Sequence, residues 1–347
     1  MKVTFNVSNC SDDLDRFISK ADFEAYLRGF DGVELMYVEP EESDAVSAHS
    51  FVIEPEHVVG FHMRYFPSWI ALWYGDSHAL VQEFDSRENV ERFFGGCDRD
   101  ALIRVFREDL RRAHQYGAEY VVFHVSQASI EETFTWRYRY TDEEIIDASA
   151  EILNEVFANE DGSIALLLEN LWQPGFTFTS PENTRRLLEK VNYSNTGLML
   201  DTGHLMHTDT SLATEEEALR YIHRRLDEHG DLTKKIRGVH LHQSLTGAYS
   251  EAAMADSPVM APTFDGRMSQ MYTHAFKVDR HEPFTCPGVD LLIERINPEY
   301  LTFEFITSDR KQHAHYLKMQ WDVLAPRILP SGVRTLSGSS EIAEESV

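Results

Sequence analysis

Ile164-Ala165-Leu166-Leu167-Leu168-Glu169 is the stretch on which the fold turns. An unbroken apolar run with no polar alternation suits a strand buried on both faces, as parallel strands covered by helices are. The residue that ends the run carries a second message. Burying an unpaired carboxylate is costly, so Glu169 calls for a cation or for donors.

Seven further runs of this kind occupy residues 3–7, 33–37, 57–62, 120–124, 196–201, 236–242 and 301–305. Amphipathic stretches lie between them. Residues 99–116 end at Gly117, a suitable glycine for a helix C-terminus. Thr141-Asp142-Glu143-Glu144 is a capping box opening a helix to about residue 159. Ser180-Pro181 places serine at the N-cap and proline at the first helical position, ahead of a helix to residue 191. Residues 214–229 and 308–324 read the same way. Strands alternating with helices predict an α/β fold, a single closed (β/α)8 barrel. A doubly wound open sheet is the weaker alternative, because no glycine-rich phosphate loop follows the first run.

The length, 347 residues, fits a barrel of ~250 residues with insertions. Two connections, 66–98 and 243–277, predict long loops at the C-terminal face, either functional lids or disordered segments. One domain is expected over residues 1–329, with the Ser/Gly/Glu-rich residues 330–347 a disordered tail. No run approaches the ~18 apolar residues of a membrane span, and the first residues form a strand rather than a secretory signal. The expected compartment is the cytoplasm. Cys10, Cys97 and Cys286 are odd in number and far apart, as reduced, ordinary thiols are. A net charge of −26 repels polyanions, which disfavours nucleic acid without forbidding a local basic groove. Nothing in the sequence specifies an oligomeric state.

His62, His124, Glu169, Asp201, His240 and Glu304 each end a successive apolar run. In such a barrel chemistry collects at the C-terminal strand ends. One histidine there is usually structural; six imidazoles and carboxylates on six successive strands are not coincidence. Asp201-Thr202-Gly203-His204 is the most specific local motif, and Asp279-Arg280-His281 adds two more donors. Imidazole and carboxylate together select borderline divalent ions: zinc first, manganese or ferrous iron next. The nine donors exceed one ion's needs and suffice for up to three if one carboxylate bridges two.

Glu ending the fifth strand, Asp-x-x-His the sixth, His the seventh and Glu the eighth resembles the xylose isomerase-like TIM-barrel superfamily. That superfamily holds one-metal sugar isomerases and epimerases, and the trinuclear endonuclease IV family (AP endonuclease family 2). Asp279-Arg280-His281 resembles the second half of the trinuclear site. The resemblance, over roughly residues 30–310, implies three groups. His62, His124 and Glu169 would hold one ion. Glu169, as a bridge, would hold a second with Asp201, His240 and Glu304. His204, Asp279 and His281 would hold the third. It also implies a phosphoesterase in which a hydroxide shared by two ions attacks phosphorus, with Glu169 central and Arg280 on a phosphate oxygen. Tyr65 falls where the family's tyrosine meets nucleic acid, with Phe66 beside it.

There are departures. His240 is followed by Leu241-His242-Gln243-Ser244 where the family usually shows Asn then Asp, and His242 is a substrate-side candidate. Glu34 is typical of the sugar-isomerase branch. Residues 126–140 offer Trp136, Arg137, Tyr138 and Arg139 to stack a ring and clamp a phosphate, and residues 67–74 a pocket wall or partner-facing lid, with core packing the equal alternative. The expected substrate is a small, nucleotide-like phosphodiester or abasic DNA. The alternative is a sugar (phosphate) isomerase or epimerase, with Glu169 and Glu304 shuttling a proton beside one metal. A non-catalytic metal-binding barrel would waste most of the donors.

Overall fold

The structure, a computed structural model, describes residues 1–38 and 53–328. The expected tail, residues 330–347, lies outside the described residues. Eight parallel strands close into one barrel: β1 (Lys2–Ser8), β2 (Gly32–Met36), β3 (Val58–His62), β4 (Tyr120–His124), β5 (Ala165–Glu169), β6 (Thr196–Asp201), β7 (Ile236–Leu241) and β8 (Tyr300–Phe303). Each agrees with its expected run to within two residues at either end.

Side-chain alternation divides each strand between two cores. Val121, Phe123, Leu166 and Leu168 join the large core under the helices, whereas Tyr120, Val122, Ala165, Leu167, Met199 and Tyr300 fill the barrel itself. The inward parity continues upward to His124, Glu169, Asp201 and Glu304. Pairing in register sets their heights, with His124 opposite Glu169 and Asp201 opposite His240. Gly60 makes the floor possible: a Cβ there would lie 2.1 Å from Cζ of Tyr120.

The expected helices form, with the Thr141–Glu144 capping box and the Ser180 and Thr214 caps in place. The two long connections are not loops. Residues 66–98 carry helices Trp69–Trp73, Ser77–Phe84 and Arg87–Phe94, and residues 243–277 carry Gly247–Ala255 and the start of Phe264–Val278. The physical reason in the second case is a stripe of Phe264, Met268, Met271, His274 and Val278 at three- and four-residue steps, buried on one face. Trp69 through Trp73 are buried, as the core alternative for residues 67–74 expects, and of that stretch only Pro67 lines the cavity at the barrel mouth. Among the described residues, no helix is long and apolar enough to cross a membrane.

Candidate metal centre

The first group sits on β3, β4 and β5. His62 Nε2 lies 3.1 Å from His124 Nε2 and 3.3 Å from Glu169 Oε2. His124 Nε2 is 3.0 Å from the same oxygen. His62 Nδ1 donates to the Met63 carbonyl at 2.8 Å, which leaves the Nε2 lone pair facing its neighbours.

The second group shares Glu169. His240 Nδ1 stands 3.1 Å from Glu169 Oε1, 3.7 Å from Asp201 Oδ2 and 3.0 Å from Glu304 Oε2. Its Nε2 donates to Glu34 at 3.0 Å, and the Tyr120 hydroxyl donates to Glu34 at 2.7 Å. Glu34 thus fixes the ring so that Nδ1 points to the carboxylates, an outer-shell role found at many metal histidines.

The third group lies off the strands. His204 is on the short helix Thr202–His207, whose N-cap Asp201 accepts the His204 N–H at 2.6 Å. Asp279 caps the Phe264–Val278 helix, and His281 follows with φ +47. His204 Nε2 and His281 Nε2 converge on Asp279 Oδ2 at 3.0 and 2.7 Å. Their Nδ1 atoms donate to the carbonyls of Asn170 (3.0 Å) and Glu304 (3.1 Å).

These residues fit divalent ions. One donor atom from each member of each group lies within 4.8 Å of the others. Glu304 Oε2 has no hydrogen bond although His240 Nδ1 is 3.0 Å away. Short contacts without hydrogen-bond alignment are what co-ligands of one cation show. His242 also comes within range of the third group. However, its ring stacks on that of His281 at 3.8 Å and 6°. Two stacked rings do not aim their in-plane lone pairs at one point, so His242 and His281 do not face a single ion together in this arrangement, although His242 has its Nδ1 buried without a hydrogen-bond partner. Its Nε2 donates to Asp201 at 2.9 Å, and its ring fills the space a Cβ on Gly203 would need.

Burial by itself pulls an imidazole's pKa down, but at His204 and His240 the surrounding carboxylates outweigh it and hold the rings well above the ordinary value. His281 is held up at about 9 for the same reason. Burial would raise Glu169, Asp279 and Glu304; the facing imidazoles keep all three well below the carboxylate range. The donors are therefore arranged for positive charge, which ions would supply in place of protons.

The groups form the floor of a cavity of about 360 Å³. Tyr65 lines it, its ring 5.3 Å from that of His124. Other assignments need correction. Phe66 is 8% exposed and packs on Phe93, Phe94 and Phe106, as core rather than substrate contact. Residues 130–135 are helical; Trp136 caps that helix, Arg137 is exposed, and Arg139 pairs with Asp76 at 3.1 Å, all away from the cavity. From residues 126–140 only Thr133 lines it. Arg280 is exposed and paired with Glu282 at 2.8 Å. Sequence reasoning missed His207, whose Nε2 lies 3.2 Å from Asp279 Oδ1 and whose signal was its three-residue step from His204. It also left unplaced Ser244, Asn170 and the orienting role of Glu34.

The sequence profile of the xylose isomerase-like TIM barrel family matches residues 25–295. The chain belongs to that family. Similar solved structures include the crystal structure of AsfvAP:AG, at 15% identity and TM-score 0.51, covering 94% of this chain and 98% of that one. Endonuclease IV from Thermus thermophilus aligns at 15% identity and TM-score 0.50, covering 94% and 100%. A D-tagatose 3-epimerase-like protein aligns at 16% identity and TM-score 0.46, covering 94% and 99%. These likenesses concern the fold. No curated protein matches the chain significantly.

Proposed function

We propose that this chain is a metal-dependent hydrolase of small phosphodiesters. The observation that carries the reading is the His204–Asp279–His281 group beside two groups sharing Glu169. When bound, divalent ions there, zinc foremost, supply Lewis acidity and stabilise charge developing on a phosphoryl group. The chain's own part is preparatory. Glu169 spans the first two groups, Glu34 and the backbone carbonyls lock the imidazoles, and Leu171 and Trp172 line the cavity beside them. No lysine or arginine is among the described residues lining the cavity. With the net charge of −26, that favours a small substrate held by ions over a nucleic acid tracked by cations.

The alternative, a one-metal isomerase with Glu169 and Glu304 shuttling a proton, has the buried Glu34–His240 contact in its favour. It leaves the third group without a task. The test is to load the protein with zinc, manganese or ferrous iron, count bound ions, and assay bis(4-nitrophenyl) phosphate against a panel of ketoses. Three ions with diester cleavage are expected. One ion with ketose epimerisation would reverse the assignment.

A further inference from the structure

Exposed large apolar side chains are usually scattered singly over a surface. Here four converge on the metal cavity: Met36 (45% exposed), Tyr272 (49%), Phe276 (56%) and Ile306 (40%). They come from the end of β2, the Phe264–Val278 helix and the segment after β8. Tyr272 and Phe276 are four residues apart on that helix, which puts them on one face of it. The cavity therefore has a polar floor of metal donors and an apolar collar.

We infer that this collar holds the non-reacting ester group of a phosphodiester, and that this group is an aromatic ring or an apolar group of similar size. The inference rests on the hydrolase reading above. The four collar side chains offer a polyhydroxylated sugar one hydrogen-bond partner, the Tyr272 hydroxyl, and losing water there without replacement disfavours binding at the collar, although Asn6, Ser8, Asp13, Thr133 and Gln173 also line the cavity. A nucleic-acid strand would find none of the cations that track a backbone. A ring on the collar leaves the phosphoryl group over the floor. In the step, water oxygen forms a new bond to phosphorus, the bond to the leaving oxygen breaks, and the water's proton passes to the departing alcohol or to solvent.

The experiment compares 4-nitrophenyl phenyl phosphate with 4-nitrophenyl methyl phosphate, which share a leaving group, using the metal-loaded full chain. Relative to the uncatalysed rates, kcat/KM should favour the phenyl ester by roughly 10-fold or more, mostly through KM. The Tyr272→Ser/Phe276→Ser double variant should bring the ratio close to one with bound ions per chain retained. Ile306→Ser, on a separate segment, should lower it partially. A wild-type ratio near one, or an unchanged ratio in the double variant, overturns the inference. So would a concentration-dependent dimer in sedimentation that the double variant abolishes, because the collar would then face a second copy. If neither ester is cleaved, the hydrolase reading has failed, and the collar is judged by calorimetry. Phenylphosphonate should then bind the metal-loaded protein roughly 10-fold tighter than methylphosphonate, and equal affinities would sink it.

Discussion

At the barrel mouth His204, His240 and His281 are buried among Glu169, Asp279 and Glu304, while in the helix layer His313 is as deeply buried against Phe5 and Tyr26. Burial, aided by Arg16, drives His313 down to about 3. At His204, His240 and His281 the carboxylates reverse the effect of burial and hold the rings above the ordinary value. Equal burial with opposite charge preference separates two kinds of histidine. One completes a core and must stay neutral. The other, as at His204, His240 and His281, belongs to a place built to receive cations; at His124 and His207 burial outweighs the carboxylates and holds the rings below the ordinary value, so position among the donors, and not the shift alone, marks the site.

The comparison breaks most severely at Glu169. Changing it to Gln keeps the shape but removes the charge that both strand-borne groups share. We expect a loss of turnover of roughly 10³-fold, the scale of losing a preorganised electrostatic group, together with at least one bound ion. Elemental analysis and diester turnover measure it. Near-normal values would mean that the two groups are independent.

The next largest effect lies in the helix layer. His313 is neutral when folded and titrates near 6.5 when unfolded, so the unfolded chain binds the extra proton. Stability from this group is present above pH 6.5 and is lost as pH falls from there towards 3, by roughly 5 kcal/mol in all. His313→Gln should therefore flatten acid denaturation of the metal-free protein over that window, read by circular dichroism. An unaltered acid limb would show that this ring protonates freely in the fold.

Loading the mouth should displace the protons its imidazoles hold. Because His204 and His240 are raised and His281 sits at about 9, apparent metal affinity should rise about tenfold per pH unit for each proton released, between pH 6 and 8. Calorimetry in buffers of different ionisation enthalpy counts those protons. Loading without proton release would erase the distinction between the two kinds of histidine.

How much of this was legible follows from geometry. Strand ends are readable because alternation is fixed at two: once Leu167 and Val122 point inward, so must Glu169 and His124. The third group was read only through Asp279-Arg280-His281 and its likeness to a known arrangement, since no local period connects a helix cap, a turn and another helix. The collar was not read at all. Residues 264–278 look like a loop because Gly266, Ser269 and Thr273 interrupt a stripe visible only when Met and His are counted as buried. Arg137 and Arg139 misled for the opposite reason: their spacing suggested a clamp, but the Ile130–Thr135 helix turns them away. A run of charges carries no record of which way its backbone turns.

The smallest effect tests whether strand-borne and loop-borne donors are separable. Strands hold the first two groups rigidly, but His281 sits at φ +47, a left-handed conformation that a non-glycine residue adopts at some cost. Ser244 is what maintains it. Its hydroxyl accepts the N–H groups of Arg280 and His281 at 2.9 and 3.2 Å and donates to Asp279 Oδ1 at 3.1 Å. Ser244→Ala removes all three bonds without touching a donor of the first two groups. Hydrogen bonds are worth about 1 kcal/mol each, and the turn relaxes to recover part of that, so the third ion should bind roughly 10-fold more weakly. Competition with a chelator, resolved site by site, should show the other two affinities unmoved. If all three weaken together, the mouth is one cooperative unit and the division between strand-borne and loop-borne donors has no energetic meaning.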